Sequence, residues 1–227
     1  MEDKKSDIFI EKNKSKKVIN SPWGNLEMPN QIFADYKMFN IAAALGLFCL
    51  SLNKINLRKL NLEKIKDLPG RLEKINISSN KYCYIDYAHT PDALASALSA
   101  LKQSCTGALW VVFGCGGDRD AGKRPEMGRI ADSLADQLVV TNDNPRSESP
   151  EMIAEDILVG ITGSPCHVEL DRGAAIRHAV LNARSGDTVL VAGKGHENYQ
   201  LVGKNKLDFS DVRCAAEVLR EREAAHA

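Results

Sequence analysis

Long apolar runs, an excess of one charge and closely spaced cysteines are all missing from this chain, and each absence closes a class of function. Lys plus Arg and Asp plus Glu number 30 each, for a formal net charge of +0. No bulk positive field is therefore available to hold a nucleic acid or an anionic membrane. The longest mostly apolar run, Ile41 to Leu52, is about half of what a bilayer crossing needs. The Met1–Lys5 start has no apolar h-region, so no secretory signal is expected. The six cysteines, Cys49, Cys83, Cys105, Cys115, Cys166 and Cys214, show no C-x-x-C spacing. That argues against a zinc site and a disulfide framework, and fits reduced thiols in a cytoplasm. No repeat of solenoid period is present.

What is there is uneven. The first 80 or so residues are rich in Lys, Asn and Ile, whereas Ala, Gly, Val and Asp dominate from about Asp86. Residues 1–17 form a basic segment expected to be loosely ordered. Residues 18–68 offer short strands near Ile19 and Leu26 and a helix from about Tyr36 to Leu52, too little for an independent domain with a full core. That helix would leave an apolar face needing a partner. After Pro69–Gly70 the pattern alternates strand and helix with short links. Strands are expected at Tyr82–Ala88, Leu109–Gly114, Leu138–Thr141, Cys166–Leu170 and Thr188–Ala192. Thr90 with Pro91, and Pro150, mark helix starts; Leu94, Leu98 and Leu101 form one apolar stripe. Further helices carry Met127, Ile130 and Leu134, then Ala174–Ala183. A hairpin near Tyr199–Phe209 leads to a last helix from Ser210. The expected fold is α/β: a Rossmann-like, mostly parallel sheet with helices on both faces.

Several strand ends then carry chemistry. Thr141–Arg146 follows an apolar strand, where open α/β sheets place ligands. Asp143 can hold an ammonium group, and Arg146 offers a planar fork to a carboxylate, a combination suited to a zwitterion such as an amino acid. A solvated Asn-Pro turn is the competing reading. Gly114–Asp120 closes the second strand and offers Arg119, which a surface ion pair with Asp118 or Asp120 would also explain. Gly117–Lys123 fits G-x-x-x-x-G-K, but Arg124 replaces the Ser or Thr of a P-loop. Gly193–Glu197 closes the strand from Thr188. Asp86 and His89 could reach a ribose or base edge, beside a helix N-terminus that favours anions. Cys115 has no local His to activate it and reads as a structural thiol.

These motifs in this order resemble the Mur ligases of peptidoglycan synthesis, through Gly70–Arg71, Asp86–Asp92, Gly114–Asp120, Asp143–Arg146 and Gly193–Glu197, over roughly residues 70 to 220. The resemblance implies that residues 69–227 are the amino-acid-binding C-terminal domain and that 18–68 are the tail of the family's central ATPase domain. The implied reaction is ATP-dependent addition of meso-diaminopimelate to UDP-MurNAc-L-Ala-D-Glu through an acyl phosphate. Arg119, Asp143, Asn144, Pro145, Arg146, Gly193 and Glu197 would contact diaminopimelate, with the arginines on carboxylate and the acids on ammonium. Lysine would leave a guanidinium unpaired, which such a site rejects. Asn40, Arg71, Asp86 and His89 would contact ATP. Tyr36–Lys37 stands where the family has Phe-Asn. ATP and Mg2+ are implied as cofactors, yet no P-loop is present, so the phosphate and metal ligands are expected outside this chain, on a separate N-terminal half or on sequence not present here. No catalytic residue can be named. The alternative is a non-catalytic module that binds diaminopimelate or a cell-wall fragment; a third reading is a degraded product without function.

Overall fold

The computed structural model describes residues 7–12, 16–28, 35–51, 57, 60, 68–75 and 82–224. It divides the chain into two units, Met1–Lys66 and Asp67–Ala227.

In the first unit, β1 (Phe9–Lys12), β2 (Lys17–Ser21) and β3 (Gly24–Glu27) form an antiparallel sheet in that order. The loose order expected over residues 1–17 does not hold for Phe9–Lys12. Ile10 sits opposite Ile19 in the ladder and, with Ile8, packs on the unit's own small core, so apolar residues within a basic segment fix its conformation there. That core gathers Ile19, Leu26, Met28, Met38 and Ala42. The last two lie on α1 (Asp35–Ser51). The helix is apolar on its other side as well: Phe39, Leu47, Phe48 and Leu50 are exposed, Leu47 by 71%. Asn40 lies on this exposed side.

The second unit carries six strands in the order β4-β5-β9-β6-β7-β8. They are β4 (Glu73–Ile75), β5 (Tyr82–Asp86), β6 (Leu109–Phe113), β7 (Gln137–Val140), β8 (Cys166–Val168) and β9 (Thr188–Ala192). All neighbours run parallel except β4, which pairs antiparallel with β5. The central strands are continuous apolar runs because helices cover both faces. Cys83, Ile85, Val112, Val139, Val189 and Val191 share one face with α5 (Arg172–Asn182) and α6 (Asp211–Ala224). The other helices are α2 (Pro91–Lys102), α3 (Lys123–Leu134) and α4 (Pro150–Leu158), with α3 packed between α2 and α4. Thr90 caps α2 through its bond from the Ala93 amide, and Leu94, Leu98 and Leu101 are buried. Ser149 and Asp171 cap α4 and α5 in the same way.

The fold therefore matches the expected mostly parallel α/β sheet. Some local readings change, and β8 ends at Val168 rather than Leu170. β5 ends at Asp86 rather than Ala88, because the Asp86 side chain accepts the Ala88 amide at 2.8 Å and turns the chain. The edge strand β4, only three residues long, was not foreseen. The register pairs Asp86 with Ala192 and Phe113 with Val140, so the carboxyl ends of β5, β9, β6 and β7 open on one side of the sheet. A hairpin of β10 (Tyr199–Val202) and β11 (Asn205–Asp208) follows β9.

Candidate functional site

The segment after β7 is fixed residue by residue. The Asn144 side-chain oxygen accepts both the Lys194 ammonium and the Leu201 amide, each at 2.9 Å. Two donors on that oxygen settle which end of the amide is which. The Asn144 NH2 group then faces Glu197 and donates to its Oε2 at 3.1 Å. Gln200 Nε2 donates to the Asp143 carbonyl at 2.8 Å. Arg146 has a φ of 53°, a left-handed conformation uncommon for a residue with a side chain. The β10–β11 hairpin holds it there: the Arg146 amide donates to the Leu201 carbonyl at 3.1 Å, and the Gly203 amide to the Arg146 carbonyl at 2.7 Å. A strained backbone maintained by its surroundings is a frequent mark of a functional site.

The loop after β6 is zipped onto the same segment. The Gly117 amide donates to the Asn144 carbonyl at 2.9 Å, and Arg146 Nη1 donates to the Gly117 carbonyl at 2.7 Å. A side chain at Gly117 would collide with the Pro145 carbonyl, so only glycine permits this approach. Arg119 is exposed. Its Cγ and the Arg146 Nη1 both border the position a Cβ on Gly116 would take. The acids next to Arg119 are engaged elsewhere: Asp118 accepts the Ser147 hydroxyl at 2.6 Å, and Asp120 the Gly122 amide at 2.9 Å. The near-miss phosphate loop is used differently too. Lys123 donates to the His89 carbonyl at 2.7 Å, and Arg124 is buried against Glu148 and Asp156.

Asp143 is only 7% exposed. Burial pushes its carboxyl above the ordinary value, while the Arg172 and Lys194 charges pull it back. A Cβ on Gly193, whose φ is 119°, would collide with Asp143 Oδ2, so glycine is required both for conformation and for space. Lys194 is fully buried, and burial pushes its ammonium down against the opposing pull of Asp143 and Glu197. Beneath these residues Arg172 bonds Asp211 twice, at 2.7 and 2.8 Å, and donates to the Asn142 and Ala192 carbonyls at 3.0 Å each. One guanidinium thus ties the ends of β7 and β9 to the start of α6. Burial raises the Cys115 thiol to about 12, which suits a structural thiol rather than a nucleophile.

A second cluster adjoins the first. The Asp86 carboxylate accepts the Leu72 amide at 2.6 Å and the Ala88 amide at 2.8 Å, so it braces the backbone. The Arg71 guanidinium lies over the Tyr87 ring, 4.8 Å from its centre, and the His89 ring meets the same tyrosine at 4.6 Å. Gly70 and Gly195 pack directly on one another. The structure thus brings together Asp143, Asn144, Pro145, Arg146, Gly193 and Glu197 with Arg119 at their margin, and separately Arg71, Asp86 and His89. Asn40 belongs to the other unit. Sequence reasoning missed Lys194, Arg172 and Tyr87. Arg172 did leave a signal, since a cation in the first turn of a helix opposes the macrodipole unless a partner waits for it.

A family model described as "Mur ligase, glutamate ligase domain" matches residues 70–195. The UDP-N-acetylmuramoyl-L-alanyl-D-glutamate–2,6-diaminopimelate ligase of Coxiella burnetii is 43% identical over 202 residues, covering 88% of this chain and 41% of that protein. The chain thus spans about two fifths of that relative's length. A solved structure of a ligase of the same name superimposes with a TM-score of 0.70 at 35% identity, covering 97% of this chain and 46% of that one. The MurF ligase of Thermotoga maritima in complex with ADP gives a TM-score of 0.64 at 14% identity, covering 97% of this chain and 48% of that one, a likeness of fold alone.

Proposed function

Because the chain belongs to the Mur ligase family, we propose that residues 69–227 supply the amino-acid site of a ligase adding meso-diaminopimelate to UDP-MurNAc-L-Ala-D-Glu. The observation that carries this reading is the arrangement around Asn144. Its amide is locked by Lys194 and Leu201 and presents Glu197 on one side, while Arg146 and Arg119 bracket Gly116 on the other. An acid and two guanidiniums on adjoining strand-end loops suit a ligand end that bears both an ammonium and a carboxylate. Lysine offers no distal carboxylate and would leave the arginines unpaired.

Each residue then has a role in binding and orientation. Arg146 and Arg119 take the carboxylate, Glu197 the ammonium, and Asn144 holds Glu197 in place. The attacking amine is thereby fixed in direction, which is the main contribution a protein makes to such a transfer. ATP would supply the activation of the acceptor carboxylate as an acyl phosphate. The exposed Arg71–Tyr87–His89 face suits one side of a nucleotide, and ADP in the MurF complex is consistent with that. Asn40, exposed on α1 of the first unit, is proposed as a nucleotide contact from the family resemblance alone. Among the described residues no group of three or more His, Cys, Asp or Glu could hold a metal ion. We therefore derive no step through magnesium.

We assign residues 18–68 to the end of the family's central domain and expect ligation to need an N-terminal half as well. The protein would work in the cytoplasm; no described helix is long and apolar enough to cross a membrane. A binding module without catalysis is the second reading: Arg146, Asn144 and Glu197 hold and orient a ligand without supplying a reacting group. Mass spectrometry of a ligation mixture separates the two. With ATP, magnesium, UDP-MurNAc dipeptide and a supplied N-terminal half, tripeptide should form with diaminopimelate and not with lysine. Diaminopimelate binding without product would favour the module.

A further inference from the structure

We infer that Lys194 is a positioning residue that sets the charge of the amino-acid site, leaving Glu197 as the one carboxylate offered to a ligand ammonium. The inference rests on the proposed amino-acid site and names how that site counts charge.

The Lys194 ammonium donates to Asn144 Oδ1 at 2.9 Å and Glu197 Oε2 at 3.4 Å, and pairs electrostatically with Asp143 Oδ1 at 3.9 Å. Its backbone carbonyl accepts the Glu197 amide at 2.9 Å, so lysine and carboxylate share one tight turn. Gly193 and Gly195 flank it at φ 119° and 54°, conformations that let the end of β9 direct a long cation into the interior.

The charges can be followed group by group. Arg172 is matched by Asp211 through two bonds, so that pair is neutral. Asp143, Glu197 and Lys194 together carry one net negative charge. Asp143 lies behind Gly193 and is nearly closed to solvent, whereas Glu197 is only partly buried and its Oε1 meets the Tyr199 hydroxyl at 3.5 Å. A single ligand ammonium at Glu197 therefore neutralises the acidic side of the pocket. Without Lys194, the nearest cation left to the carboxylates flanking Asn144 would be Arg172, which Asp211 already matches. The same ammonium also fixes Asn144, and through it the direction in which Glu197 points.

A structural tether would hold the loop whatever charge it carried, which gives the test. In the full 227-residue chain, affinity for meso-diaminopimelate would be measured by calorimetry in wild type, Lys194→Met and Lys194→Gln, and the urea midpoint followed in the same proteins. Removing the cation should weaken diaminopimelate binding roughly 30-fold in both variants. The Gln variant keeps a donor to Asn144 without the charge, so it serves if the Met variant does not fold. Adding Glu197→Gln to Lys194→Gln should cost less than about 3-fold further in affinity and restore part of the lost urea midpoint, because the unmatched carboxylate is then gone. Wild-type affinity in Lys194→Gln, or no recovery of the midpoint in the double variant, would overturn the role of Lys194. Midpoint recovery with no diaminopimelate binding even in wild type would uphold the charge arrangement and overturn the amino-acid reading instead.

Discussion

Arg172 and Arg119 carry the same guanidinium to the same end of the sheet and are treated in opposite ways. Arg172 is 1% exposed and has bonds to a carboxylate and two carbonyls, joining α5, α6, β7 and β9. Arg119 is exposed, and the acids beside it bond to Ser147 and Gly122. The buried floor of the site is satisfied from within, so its charges define shape; the rim keeps a solvent-exposed cation, with Asp118 near it but hydrogen-bonded to Ser147. Charge at the floor should therefore govern stability, and charge at the rim should govern binding.

The largest test of that contrast is Arg172→Leu. It strands Asp211 in the interior, and breaking a buried pair in this way costs about 3–5 kcal/mol, measured as a lowered urea midpoint with unchanged slope. Replacing Asp211 by Leu as well should recover part of the loss, because the unpaired charge disappears. A loss under about 1 kcal/mol for the single variant, within the ordinary range of point substitutions, would show that the floor is not built on this pair. Next in size is Gly193→Ala. The new methyl collides with Asp143 Oδ2 at a φ of 119°, and such backbone strain costs about 1–3 kcal/mol. Far-ultraviolet circular dichroism through a thermal ramp would register it, and diaminopimelate affinity should fall with it.

The same contrast explains what the sequence disclosed. Strands β5, β6, β7 and β9 were readable because buried parallel strands are apolar almost without interruption, and α2 and α4 because Thr90–Pro91 and Pro150 mark their starts. The exposed apolar side of α1 was foreseen from its composition, and Phe39, Leu47 and Leu50 lie there. Asp143, Asn144 and Arg146 stood out because polar residues directly after an apolar strand are anomalous. Lys194 did not, since a lysine between glycines looks the same whether it faces water or the interior. Only the neighbours at Asn144, Glu197 and Asp143, up to 51 residues away in sequence, decide its direction. The β4 edge strand and the hairpin's hold on Arg146 were hidden for the same reason, as pairing partners are distant information.

A smaller effect should come from Asp132, away from the pocket, where a partly exposed acid is satisfied like the floor. Its carboxylate accepts the Thr162 and Ser164 amides at 3.0 and 2.7 Å, and these backbone bonds lower its pKa to about 2 from 3.8. A depressed carboxylate stabilises above its unfolded pKa and loses that contribution as pH falls through the folded value. Asp132→Asn should therefore cost about 1 kcal/mol at pH 7, discounted for solvent screening. The gap to wild type should narrow between pH 4 and pH 2 in urea titrations. A gap independent of pH would mean that the side chain's shape, and not its charge, holds the loop.

The smallest effect on stability should belong to Arg119→Ala, and that smallness matters most for the comparison. With its neighbouring acids bonded elsewhere, its removal should change the unfolding free energy by less than about 0.5 kcal/mol, as for surface positions generally. Diaminopimelate affinity should nevertheless fall roughly 10- to 100-fold, the size of a lost charge-assisted bond. Lysine, which has no distal carboxylate to lose, should bind wild type and variant equally weakly in the same calorimeter. Equal losses for both ligands would place Arg119 outside the carboxylate subsite and leave Arg146 to hold that group alone. Lost stability with intact affinity would reverse the assignment altogether, making Arg119 part of the frame rather than of the rim.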